Sequence, residues 1–218
     1  MIVFSEEDRA VRSNLWRSLF VLDRYLAASL GRPTAISEED CSGNVLNTDI
    51  PQSLGILNHV QSKPHGTLGL EAAVRSARII GTIMKKVYAK RKVSAKLAQQ
   101  IADECRNWTQ RLDASLHWRR GISRSSHDIG RGVTILHVNL LYCHSLILLT
   151  RPFFLNLLHK IQKDKMLNDG KRSKRFGVKM EKFSEACVTA SCHSVQLVQN
   201  AWDHGCLSRR NPFTRYVV

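Results

Sequence analysis

Nine histidines and six cysteines give this 218-residue chain its widest chemical range, and their spacing limits what they can do. His137 and His144 stand two helical turns apart and so share a helix face. Cys187, Cys192 and His193 have offsets that scatter them round a helix axis instead of converging them on one ion. Neither set has the four-residue spacing of a helical zinc pair, so core histidines and small apolar cysteines are the expected roles. The chain has no C-x-x-C pair, G-x-S-x-G elbow, phosphate loop, G-x-G-x-x-G turn or H-E-x-x-H helix. Ser, His and Asp are all present, but nothing in their order fixes a mutual geometry. The reading is of a protein that is not an enzyme and holds no metal or cofactor in this chain. A basic run remains: Lys171, Arg172, Lys174 and Arg175, flanked by Lys163, Lys165, Lys179 and Lys182. It fits a nuclear import signal, a patch contacting phosphates, or a solvated loop.

The elements that would position these residues are helices. Hydrophobic residues at 43% and charged residues at 23% exclude disordered, collagen-like and linker classes. Aromatics are only 7%, with 12 Gly and 5 Pro, so strand and turn formers are scarce. Six dispersed cysteines are too few for a disulfide scaffold and fit a reducing compartment. The acidic Glu6, Glu7 and Asp8 and the lack of a long apolar run at the start argue against a signal peptide. The net charge of +15 is all in the later part: residues 1–84 hold 8 Lys or Arg against 9 Asp or Glu, and residues 85–218 hold 25 against 9. Such asymmetry suits nucleic acid, an anionic membrane surface or an acidic partner.

Ser5 as N-cap, three acids in the first turn and the apolar row Val11, Leu15, Leu19, Leu22, Leu26 and Leu30 predict a long first helix. Gly31 and Pro33 end it. Residues 42–67 are broken by Gly and Pro and read as a loop. A second helix is predicted from Leu68 to Lys92, with Val74, Ala77, Ile80, Met84 and Val87 inward. A third follows Ser94, with Leu97, Ile101, Cys105, Trp108, Leu112 and Leu116 on one face. Val133–Leu149 is apolar enough for a buried helix or a membrane span. At 17 residues, with His137, Asn139 and His144 inside it, the buried helix is the expected reading and no membrane span is assigned. Pro152 is expected to interrupt at Arg151, with a further short helix over Phe153–Ile161. Residues 162–179 read as a charged loop, and a last helix runs from Met180 to His204. The fold class expected is all-α, an irregular multi-helix bundle in one domain over residues 1–218.

Part of this pattern resembles a known family. Leu15, Trp16, Arg17, Ser18, Leu19, Phe20, Val21, Leu22, Asp23, Arg24 and Tyr25, then Gly31, Arg32 and Pro33, then Ile36, Ser37, Glu38, Glu39, Asp40 and Cys41, look like the signature of the fungal-specific transcription factor domain. That domain is the helical middle homology region of fungal binuclear zinc cluster regulators, including the xylanolytic activator type. Tyr142 to Leu149 followed by Arg151, Pro152 and Phe153 is similar to its later helix, and the Cys187, Ala190, Val195 helix is a third, looser match.

Read physically, Trp16, Asp23, Arg24, Gly31, Arg32, Pro33, Asp40, Arg151 and Pro152 are scaffold residues. Asp23 and Arg24 can pair locally, and Arg32 and Arg151 have the reach to meet carboxylates such as Asp40. The resemblance implies a nuclear regulatory module controlling RNA polymerase II transcription through an effector, an inhibitory contact or a co-regulator, with homo-oligomers possible. It implies DNA contact only through an upstream head whose six clustered cysteines hold two zinc ions; the cysteines here, spread from Cys41 to Cys206, form no such cluster. Relative to the family domain the chain is expected to be incomplete at both ends, which would leave the apolar row of the first helix without its covering surface and prone to self-association. The competing reading is a basic helical interaction protein that docks an acidic partner or an anionic membrane surface.

Overall fold

The computed structural model of the chain describes residues 5–39, 41, 45–46, 64–90, 93–118, 129–166 and 177–207. Among the described residues there are five α-helices and no strand, so the architecture is an all-α bundle.

Helix α1 spans Glu6–Leu30. Ser5 Oγ accepts the Asp8 N–H at 3.1 Å, and Glu6, Glu7 and Asp8 sit at the positive end of the helix dipole. At the other end Gly31 adopts φ 64°, which a side chain would resist, and Arg32 N–H reaches back to the Ala27 carbonyl at 3.0 Å. Only Phe20, Arg24 and Ala27 of α1 are buried. The apolar row faces outward except at Leu22, which is half-buried: Val11 and Leu30 are 67% and 62% exposed.

Helix α2, His65–Ile83, starts three residues before the expected Leu68. It is buried through Ala72, Val74, Ala77, Ile80 and Ile83 and lies at the centre of the bundle. It does not run as an α-helix to Lys92. Residues Met84–Tyr88 widen into a π-turn, closed by Ala89 N–H on the Met84 carbonyl at 2.9 Å, and Met84 is only partly buried. Helix α3, Ala95–Gln110, begins as expected with Ser94 Oγ accepting the Leu97 N–H. Ile101, Cys105 and Trp108 are buried along it. Leu112 and Leu116 continue the buried row beyond the helix end, Leu116 in a 3-10 turn at Ala114–Leu116.

Helix α4 corrects the expectation most. It runs unbroken from Ile129 to Met166, so Val133–Leu149 and Phe153–Ile161 are one helix and Pro152 lies inside it. Proline removes one N–H and thereby frees the carbonyl four residues back, here that of Leu148. Tyr88 Oη, presented by the π-turn after α2, donates to that carbonyl at 3.0 Å. The helix therefore continues because a side chain from another element supplies the missing donor. By length and composition α4 would be able to cross a membrane, yet Ile135, Leu136, Val138 and Leu149 are buried against the other helices.

Helix α5 spans Val178–Asp203 and packs along α4. The loop expected over 162–179 is corrected at both ends, where α4 continues to Met166 and α5 begins at Val178. Close approach needs glycine at three described positions, Gly81 of α2 against Arg24 of α1 being one. A Cβ on Gly69 of α2 would run into Thr134 Cγ2 of α4, and one on Gly132 would meet Cys206 Sγ.

Candidate functional site

The family-like motif of the first forty residues forms a clasp. After the turn at Gly31 and Pro33 the chain doubles back along α1, which brings residues 35–36 to Asp23. The Asp23 carboxylate accepts the backbone N–H groups of Ala35 and Ile36 at 2.8 and 3.3 Å. Arg24, only 4% exposed, donates to Asp23 at 2.5 Å and to the Ile36 carbonyl at 2.8 Å, and its guanidinium lies 4.3 Å from the centre of the Phe20 ring. Trp16 Nε1 donates to Cys41 Sγ, Arg17 Nε to the Val45 carbonyl at 2.7 Å, and Glu38 pairs with Arg78 of α2 at 3.4 Å. The result is a cover that seats Leu46 on Phe20, Val74 and Ala77.

The structure brings together Trp16, Asp23 and Arg24, with Gly31 as the helix stop. It does not bring Arg32 or Arg151 into this network; both are exposed, and Arg151 and Pro152 belong to α4. Asp40 and the run Lys171, Arg172, Lys174 and Arg175 lie outside the described residues.

A second feature was not legible in the sequence: a cleft of about 720 Å³ between α1 and α5. Ser18, Val21, Leu22, Tyr25 and Ser29 form the α1 wall, and Ser191, Ser194 and Val195 the α5 wall. The floor comes from Gly69, Leu70 and Ala73 of α2 and from His137, Val138, Leu141, His144 and Ile147 of α4. Among the described residues, no Lys, Arg, Asp or Glu lines this cleft.

Four of its hydroxyls are engaged within the protein. Ser18, Thr134, Ser191 and Ser194 each bond a carbonyl one turn back on their own helix. His144 packs against Tyr25 with ring centres 5.9 Å apart, and its Nε2 is buried without a partner. Burial lowers the His144 pKa and favours the neutral imidazole. The cleft thus has the size and the largely apolar lining of a small-molecule site, with no charged side chain among the described residues that line it. A separate hollow of about 810 Å³ on another face of α4 differs in having Lys182 and Glu185 in its walls.

His137 and His144, which the sequence places on one helix face, both line the cleft as members of its floor. The other metal candidates separate: Cys187 is buried on α5 while Cys192 is exposed. The cysteines do not fit the zinc cluster that the family resemblance implies upstream. Cys105, Cys143, Cys187 and Cys206 are buried in different parts of the bundle, and burial pushes the Cys105 thiol up to about 11, whereas a zinc ligand must be a thiolate.

No family model matches the chain, and no solved structure matches it. Over 148 residues, 66% of the chain, it is 28% identical to Filamentous growth regulator 27 of Candida albicans, covering 18% of that protein. Over 208 residues, 92% of the chain, it is 22% identical to an uncharacterized transcriptional regulatory protein of Schizosaccharomyces pombe, covering 23% of that protein. The chain spans about a fifth of the length of these curated relatives. These likenesses to fungal transcription regulators support a role in transcription regulation.

Proposed function

We propose that the chain is the helical regulatory region of a nuclear fungal transcription regulator, and that it receives its signal as an uncharged, lipophilic small molecule in the cleft between α1 and α5. The observation that carries this reading is that no charged side chain among the described residues lines that cleft, in a protein of net charge +15. An anionic or cationic effector would leave its charge unpaired there, at a cost of several kcal/mol. A neutral lipophile loses only water of low value. The clasp built on Asp23 and Arg24 fixes α1, and so fixes one wall of the site. DNA contact is assigned to a region outside this chain, as the family resemblance implies. No catalytic role and no cofactor are assigned to these residues.

The test is a tethered reporter. The 218-residue chain is fused to an unrelated DNA-binding domain in yeast, and the reporter is read beside the DNA-binding domain alone. The reading expects a change in output, and a second change when Ser191→Trp fills the rim of the cleft. Output equal to that of the DNA-binding domain alone, with the fusion present in the nucleus, would end this reading.

A further inference from the structure

Among the described residues that line the cleft between α1 and α5, one buried side-chain polar atom has no hydrogen-bond partner in the protein: Nε2 of His144. Folded chains pair nearly all such atoms, and each exception calls for a reason. The hydroxyls nearby cannot supply the bond, because Ser18, Thr134, Ser191 and Ser194 are held by carbonyls of their own helices. Tyr25 meets the imidazole as a ring, centre to centre at 5.9 Å. His144 Nε2 is therefore buried hydrogen-bonding capacity that the fold does not use, on a residue that belongs to the floor of a binding cleft.

We propose that the cleft selects guests that carry a hydroxyl group, and that this hydroxyl bonds His144 Nε2. The proposal rests on the reading of the cleft as a site for an uncharged lipophile and adds which lipophiles it prefers. A neutral imidazole has one N–H and one lone pair, so Nε2 either donates or accepts. A hydroxyl answers both cases, whereas an ether or carbonyl oxygen answers only the first. A carboxylate would bring a charge into a lining that has none among the described residues. A hydrocarbon would leave the nitrogen as it is.

Reach is not a barrier. His144 as a residue is only partly buried, and its ring can turn about the Cβ–Cγ bond to bring Nε2 to a guest. The gain is larger than for a surface hydrogen bond, because the guest also relieves a buried atom left unpaired by the protein. One such bond is worth about tenfold in affinity.

Three probes that differ in one substituent test this by isothermal titration calorimetry at pH 7.5: 2-naphthol, 2-methylnaphthalene and 2-naphthoate. The methyl compound is the more lipophilic of the first two, so burial alone would favour it. The 218-residue chain should instead bind 2-naphthol at least as tightly, and 2-naphthoate at least tenfold more weakly than 2-naphthol. His144→Phe keeps a ring and removes both nitrogens. It should move the ratio of the naphthol and methylnaphthalene affinities about tenfold toward the methyl compound, with helical circular dichroism intact. His144→Gln, whose amide sets a polar atom at a similar distance from the backbone, should restore part of the ratio. If both neutral probes bind saturably but the wild type favours the methyl compound tenfold, or His144→Phe leaves the ratio unchanged, the hydroxyl proposal is overturned while the cleft reading stands. Naphthoate binding as tightly as naphthol would overturn it as well. Saturable binding of neither neutral probe would remove the cleft reading, and this proposal with it.

Discussion

Tyr88→Phe is the substitution that most sharply tests why α4 survives Pro152. It removes one oxygen, the donor that meets the Leu148 carbonyl at 3.0 Å, and leaves the ring in place. Leu148 is 5% exposed, so its carbonyl has no easy access to water. A lost hydrogen bond costs about 1 kcal/mol, and leaving a buried acceptor unpaired brings the expected total to about 2 kcal/mol. For a chain of this size that is a fall in Tm of roughly 4 to 8 °C. The cause is isolated by a second change. In Pro152→Ala the new N–H bonds the Leu148 carbonyl within the helix, and the hydroxyl of Tyr88 becomes dispensable. On that background Tyr88→Phe should cost about 0.5 kcal/mol or less, leaving a coupling of about 1.5 kcal/mol. Urea unfolding followed by circular dichroism at 222 nm gives all four stabilities. Equal costs on the two backgrounds would refute the argument, because the tyrosine would then act through packing alone.

Asp23→Ala strands the buried Arg24 charge and should cost about 3 kcal/mol in urea unfolding, while adding Arg24→Met should recover part of that loss. Gly81→Ala places a Cβ 2.8 Å from Arg24 Nε and should destabilise by about 1 to 3 kcal/mol, less than additively with Asp23→Ala. His144 is held neutral by burial, and the unfolded chain takes up a proton below about pH 6.5. Its contribution is therefore complete above that pH and declines by up to about 1.4 kcal/mol per unit as pH falls toward the depressed folded value. His144→Phe should accordingly flatten the stability profile between pH 7.5 and 5.5, and an unchanged slope would count against the burial argument. Iodoacetamide at pH 8 should label exposed Cys192 first and Cys105 last, read by peptide mass spectrometry.

Helix starts were legible because caps are local: Ser5 and Ser94 announce α1 and α3 within a few residues, and Gly31 announces a stop. Pro152 was misread for the opposite reason. The missing N–H is visible in the sequence, but its substitute, Tyr88, lies sixty residues from Leu148 and becomes a neighbour only through packing. Periodicity found the apolar row of α1 but could not say which face turns inward. The inward face carries Arg24, a charged residue whose burial depends on Asp23, Phe20 and the returning chain. The clasp residues stood out as a motif while their contacts did not. The cleft left almost no trace, since its walls come from four helices and its property is the shared lack of charge, which no single segment displays.

Direct titration of the cleft tests the central claim most closely. Nile red, a neutral lipophilic dye, is added to the 218-residue chain and to its Ser191→Trp variant, with dodecanol as competitor. The account predicts saturable binding of one dye per chain with blue-shifted emission, displacement by dodecanol, and at least tenfold weaker binding in the variant. Binding that does not saturate, or that Ser191→Trp leaves unchanged, would contradict it.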